Sequence, residues 1–402
     1  MLNIKKQITR LYLSTALWNL SLTGAWVAIL AARGYSLPEI GFAETVFHIT
    51  SLLFEIPSGI LADLFGRKNM LIVSTVMKII GNIIMILSCN LWMVCGALAF
   101  YAMSYNFSSG SGDALAYDSL KMVGKESYYE KYASNEMVIY RFCGGVSTLC
   151  AGFALFIGHI AAYGADILMC AVQIGTLLPL CEVYAGSKSD IHNKSGENTK
   201  TGGNIKADGN IKTDGNIKTV GNIKAAGKNV MGSIGKEFIN CFMESLLFIK
   251  KERKTMALML SNSLVGAVDI LLLFFLQAKL PKAGIPEWAL GFALFFMEMG
   301  GVLGAKIILK WKKLRYKDVF AATAFFVLLG VLLEHSGLYI VMTLGGFLAA
   351  FSDDALQVRT NTILQDMFPS EQRATLISIE SFTFSMIMIV LSPLAGIVFS
   401  WW

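Results

Sequence analysis

Apolar runs of about 20 residues recur along almost the whole chain, and nothing else in the sequence constrains the fold as strongly. A run of that length crosses the hydrocarbon core of a bilayer as an α-helix, at a rise of about 1.5 Å per residue. Lipid offers the backbone no partners, so each crossing must close its own hydrogen bonds. Composition agrees: 55% of the 402 residues are apolar, 15% are charged, and the mean hydropathy is +0.58. The chain reads as an all-α polytopic membrane protein with no soluble core large enough for a separate catalytic domain.

Hydropathy places eleven spans near 11–32, 40–62, 70–88, 92–118, 136–158, 160–184, 255–278, 288–309, 316–334, 338–358 and 374–400. The first follows a basic start, but its apolar part is too long for a signal peptide, so it reads as an uncleaved span. Lys5, Lys6 and Arg10, then Arg67 and Lys68, then Lys121, Lys125 and Lys131, then the 310–317 cluster and Arg373, fall in alternate loops. The positive-inside rule puts those loops and the N-terminus in the cytoplasm, which implies a multi-pass protein of the cytoplasmic membrane. Arg33, Lys279 and Lys282 are exceptions on the outer side, where "SCNLW" and "GHIAAYGAD" carry no Lys or Arg.

A net charge of +6 spread over such short loops is a topology signal and not a nucleic-acid-binding face. Cys89, Cys95, Cys143, Cys150, Cys170, Cys181 and Cys241 lie mostly in apolar runs without C-x-x-C spacing, and the four His are scattered. Neither a disulfide framework nor a metal site is expected, and no cofactor is called for. Walker A, H-E-x-x-H and G-x-S-x-G motifs do not occur, so an ATP-driven or enzymatic role is not expected.

Three regions are expected. Residues 1–185 form a six-helix lobe. Residues 186–235 are a flexible cytoplasmic linker, with four GNIK copies at a six-residue period that are too short and Lys-rich to bury a β-helix core. Residues 236–402 start with an interfacial helix, with Phe238, Ile239, Phe242, Leu246 and Ile249 on one face, and continue as a second lobe. "SGDAL" at Ser111–Leu115 and "SDDAL" at Ser352–Leu356 lie 241 residues apart, each in the fourth span of its lobe. Parallel repeats of this kind enclose a site at the midplane. The same offset carries Trp402 back to Ala161, so the second lobe shows five spans, with the twelfth expected to be missing from this sequence.

"GILADLFGRK", Gly59–Lys68, stands between spans two and three. It resembles the G-x-x-x-D-x-x-G-R-K signature of the major facilitator superfamily, in the loop where that family carries it. Physically, Gly59 and Gly66 would permit close helix approach and a tight turn. Asp63 would cap the next helix or pair with Arg67, and with Lys68 these residues would form a charged latch made in one conformational state and broken in the other. The resemblance covers almost the whole chain. It implies a monomeric two-lobe bundle that moves a small molecule by alternating access through a cavity lined by spans one, four, seven and ten. "EIPSG" together with "SGDALAYDSL" is most similar to bacterial permeases grouped with multidrug exporters, which implies proton antiport. Asn106 stands where the fourth span of many members carries Arg.

An ionisable group within a span costs about 2.5–3.5 kcal/mol on insertion scales, so each requires a reason. Glu44, Glu55, Asp113, Asp118, Arg141, Asp269, Glu298, Asp353, Asp354, Arg359 and Glu380 are such groups. Glu55, Asp113, Asp118, Asp353, Asp354, Arg359 and Glu380 fall in the cytoplasmic halves of their spans, where they serve either as gate-shaping ion pairs and caps or as a proton carrier. Asp113, with Arg141 expected within reach, best fits a carrier. Asp269 and Glu298 are near mid-span and would pair internally or attract a cationic substrate. Trp18, Asn19, Trp26, Tyr101, Tyr105, Asn106, Asn262, Phe274, Gln277 and Gln357 are candidates for substrate contact, although aromatic belts and interhelical amide bonds use the same residue types. The sequence thus points to a secondary active transporter exporting small amphipathic compounds or drugs in exchange for protons. Proton-coupled uptake of a nutrient or metabolite, and a non-transporting or truncated membrane protein, remain open alternatives.

Overall fold

A computed structural model describes residues 3–183, 253–311, 313–367 and 373–401. The expected linker, 186–235, and most of the expected interfacial helix lie outside the described residues. Fourteen α-helices are described: α1 (Ile4–Asn19), α2 (Trp26–Ala32), α3 (Leu37–Phe65), α4 (Arg67–Leu87), α5 (Leu91–Ser108), α6 (Ser111–Met122), α7 (Tyr129–Leu149), α8 (Ala151–Ile157), α9 (His159–Leu177), α10 (Arg253–Lys282), α11 (Glu287–Ile308), α12 (Tyr316–Glu334), α13 (Tyr339–Met367) and α14 (Arg373–Ser400). Seven of them, α4, α9 and α10 to α14, include segments long and apolar enough to cross a membrane alone, and α7 with α8, bent by 45° at the break between them, are long and apolar enough only when taken together.

The remaining expected spans are α3 and two interrupted helices. Span one is α1 plus α2, unwound over residues 20–25, and span four is α5 plus α6, broken at Ser109–Gly110. Gly110 has φ of +70°, a left-handed conformation that costs an L side chain about 1–2 kcal/mol. The sequence reading treated both as continuous.

Local signals set several boundaries. Ser36 caps α3, and its own N–H donates to Glu39 Oε2 at 2.8 Å, with Pro38 in the first turn. Arg33 and Lys279, the apparent exceptions to the charge pattern, have local partners. Arg33 donates to the carbonyls of Met85 and Ser88 at the end of α4. Lys279 forms a buried ion pair with Glu334 of α12, and His335 Nδ1 lies 3.4 Å from that carboxylate.

Helices α1–α9 form one half and α10–α14 the other. Within the halves α4 packs on α5 and α9, and α13 packs on α11 and α12. Between them, α3 meets α14, α2 meets α10, and α7 and α8 meet α11. A shared buried cluster includes Leu30, Ile40, Leu271, Phe275 and Leu290. In lipid such contacts hold through close packing, because there is no water to exclude.

The lysine- and arginine-bearing loops mark one end of the bundle, here the basic end. At the other end the halves meet backbone to backbone. A Cβ on Gly41 would collide with the carbonyl of Ser392, and one on Gly152 with the carbonyl of Glu287. Glycine is required there because α3 and α14, and α8 and α11, approach too closely for a side chain.

Candidate functional site

The unwound segment of span one is built from charges contributed by neighbouring helices. Asp166 of α9, only 2% exposed, accepts from Ser21 Oγ (2.6 Å), the Leu22 N–H (2.8 Å) and Thr23 Oγ1 (2.5 Å). Lys78 of α4 donates to the Trp18 carbonyl in the last turn of α1 (2.8 Å). Ser147 Oγ accepts from the Ser21 N–H (2.8 Å) and donates to the Asn19 carbonyl (2.7 Å). These groups satisfy backbone atoms freed by the break, as an interruption at membrane depth requires. Sequence reasoning missed both charged residues. "GHIAAYGAD" reads as an outer loop, whereas α9 begins at His159 and buries Asp166.

Around this break lie two cavities. A central one of about 350 Å³ is walled by Trp18, Trp26, Tyr101, Tyr105 and Phe274, with Lys78 and Glu44 also on its lining. Trp26 of the first half and Phe274 of the second stand edge to face, ring centroids 5.7 Å apart. Glu44 lies 3.3 Å from His48 Nε2. The other cavity, about 590 Å³, is in the first half nearer the basic end and is lined by Trp18, Asn19, Tyr105, Asp113, Tyr129 and Glu136 among others.

In that cavity Asp113 faces Glu136, a residue absent from the sequence candidates, with Thr15 Oγ1 donating to Glu136 (3.0 Å) and Tyr129 OH donating to Asp113 (3.4 Å). The expected partner Arg141 has a side chain outside the described set. A carboxylate seven residues after Tyr129 on a polar helix start gave only a weak signal in sequence.

The loop motif is tied to the rest of the first half by long-range contacts. Arg67 pairs with Asp118 of α6. The first N–H groups of α4 are capped by Glu182, which accepts from the Arg67 and Lys68 amides at 2.9 Å each; the expected cap was Asp63, whose side chain lies outside the described set. Gly66, with φ of +90°, makes the tight turn, and among the described residues no atom lies within 4 Å of a Cβ built on Gly59.

In the second half Asp269, near the middle of α10, faces Asp353, Asp354 and Glu298. Asp353 also lines a cavity of about 270 Å³ with Asn262, Gln357, Glu380 and Phe384, and Asn262 Nδ2 donates to Glu380 at 3.3 Å. Arg359 donates to the Leu314 carbonyl (3.0 Å) at the basic end. Of the substrate candidates, Trp18, Tyr101 and Tyr105 line the central cavity, while Asn19 lines the larger one. Asn106 is 5% exposed and exchanges hydrogen bonds with Ser51 of α3, so its amide links two helices. Asp269 and Glu298 belong to the acidic cluster and are not among the lining residues of the central cavity.

No protein-family model matches the sequence, and no curated protein matches it. Solved structures do. The nucleoside transporter NupG superposes with a TM-score of 0.67 at 13% identity, over 99% of this chain and 91% of that one. A POT family transporter in complex with 5-aminolevulinic acid gives 0.63 at 11%, over 97% and 90%. The D-xylose-proton symporter gives 0.62 at 10%, over 100% and 89%. Identity this low establishes fold alone: the chain has the all-α polytopic fold of these transporters.

Proposed function

We propose that the chain is a secondary active transporter that carries a small molecule by alternating access. One observation supports this above the others: an aromatic cavity containing a charged side chain lies between two helical halves that touch backbone to backbone at one end. With the basic end in the cytoplasm, the conformation is closed to the outside, and the cavity beside Asp113 and Glu136 lies on the cytoplasmic side. Arg67, Asp118 and Glu182 form the latch of this state, joining the loop of Gly59–Lys68 to α6 and to the end of span six. The Asp113–Glu136 pair is the proton carrier, because two facing carboxylates share a proton readily and release it when a cation or water approaches.

Export of small amphipathic compounds in exchange for protons is the first reading. A second, proton-coupled uptake of a metabolite, draws support from the similar structures, whose descriptions name a nucleoside transporter and a D-xylose-proton symporter. Accumulation of fluorescent amphipathic compounds in everted membrane vesicles, with and without a protonophore, tests the proposal. Protonophore-sensitive accumulation, lost in Asp113→Asn and in Glu136→Gln, is expected for export. Protonophore-sensitive uptake of nucleosides or sugars into whole cells, with no accumulation in everted vesicles, would establish the second reading instead.

A further inference from the structure

We infer that the central aromatic cavity takes an organic anion, an aromatic or planar acid whose carboxylate seats against Lys78. This rests on the transporter reading and supplies its substrate class. Lys78 is about 16 Å along α4 from Arg67, deep within a crossing helix, where an ammonium needs a partner. Its Nζ makes one hydrogen bond, to the Trp18 carbonyl, and stands 4.6 Å from the centroid of the Trp18 ring. No carboxylate among the described residues lies within ion-pair distance of it. The two nearby acids are committed elsewhere, Asp166 to the backbone and hydroxyls of residues 21–23, and Glu44 to His48. An ammonium has three donors, so two are left to point toward a ligand.

The rest of the cavity defines the body of that ligand. Trp18, Trp26, Tyr101 and Phe274 present ring faces and edges suited to a flat apolar group, and a volume of about 350 Å³ admits a small one. Because Trp26 and Phe274 come from different halves, an occupant touches both. An acid drawn to Lys78 also sits beside the last turn of α1, next to the unwound segment, so binding acts directly on the discontinuity in span one. A cationic ligand would have to approach Lys78 with only Glu44 to attract it.

The test uses the full-length protein in nanodiscs and three probes differing only in their end group: 4-phenylbutyrate, 4-phenylbutan-1-ol and 4-phenylbutylamine, titrated by quenching of tryptophan fluorescence. The carboxylate is expected to bind about tenfold more tightly than the alcohol, and the amine most weakly. Lys78→Met should abolish the preference, bringing the ratio of carboxylate to alcohol affinity in that variant to about one, and Lys78→Arg, which keeps a donor for the Trp18 carbonyl, should preserve it. Tighter binding of the amine, a carboxylate preference that survives in Lys78→Met, or no binding by any probe would overturn the inference. Counterflow of the same probes in proteoliposomes separates the two levels. Exchange of the amine without the acid would overturn the anion site and leave transport standing, whereas acid binding without exchange of any probe would overturn transport and leave the site standing.

Discussion

The break in span one and the unbroken helices α10 and α13 treat buried charge in opposite ways. In the first half the spans are interrupted, and Asp166 and Lys78 are directed at backbone groups released by the break in span one. In the second half α10 and α13 run unbroken for 30 and 29 residues, and their carboxylates meet other carboxylates, Asp269 facing Asp353, Asp354 and Glu298. Asp269 Oδ1 and Asp353 Oδ1 accept no hydrogen bond among the described residues. An intact helix has no spare N–H groups in its middle to offer an acid, whereas an unwound segment has several. Charge beside the break in span one therefore stabilises a shape, and the acidic cluster between α10 and α13 is held at a cost that function must justify.

The internal repeat shows how one residue produces the contrast. At the offset relating "SGDAL" to "SDDAL", Gly110 corresponds to Phe351. Gly110 takes a left-handed conformation and ends α5, while Phe351 continues α13 without interruption.

Four substitutions sharpen or break this comparison, in descending order of expected effect on thermal unfolding in detergent. Lys279→Met removes one partner of a buried pair and leaves Glu334, 2% exposed, with His335 alone beside its carboxylate; a loss of about 3 kcal/mol or more is expected. Asp166→Ala orphans the donors of residues 21–23 and should cost about 3 kcal/mol, with new proteolytic cleavage in the unwound segment as a second readout. Gly110→Ala should cost about 1–2 kcal/mol through backbone strain alone. Asp353→Asn should be neutral or raise stability by up to about 1 kcal/mol, since it removes a charge from an acidic neighbourhood. Equal destabilisation by Asp353→Asn and Asp166→Ala would erase the distinction between the two regions.

Much of the fold was legible in sequence, because apolar length and the alternation of Lys and Arg are set directly by the bilayer. The breaks were not. Residues 20–25, "LSLTGA", contain no proline, and the helix yields there because Asp166, Lys78 and Ser147 from three other helices supply the missing partners. Asp113, Trp18 and Tyr105 were readable as site candidates because polar or aromatic groups in a span require a reason. Lys78 went unnoticed in "STVMKIIGN" because a single lysine in a long apolar run resembles one that snorkels to the surface, and only the Trp18 carbonyl above it shows otherwise. Glu182 was hidden because the contact that makes it a cap spans 115 residues of sequence.

Alternating access is tested most directly by distances. In a variant with all seven cysteines replaced, spin labels at positions 156 and 288 would report the end closed by Gly152, and labels at 121 and 314 the basic end. On adding a bound substrate in nanodiscs, the first pair should move apart while the second approaches, giving two populations in reciprocal proportion. A single unchanged distance for both pairs, with substrate demonstrably bound, would contradict a carrier that works by rocking its halves.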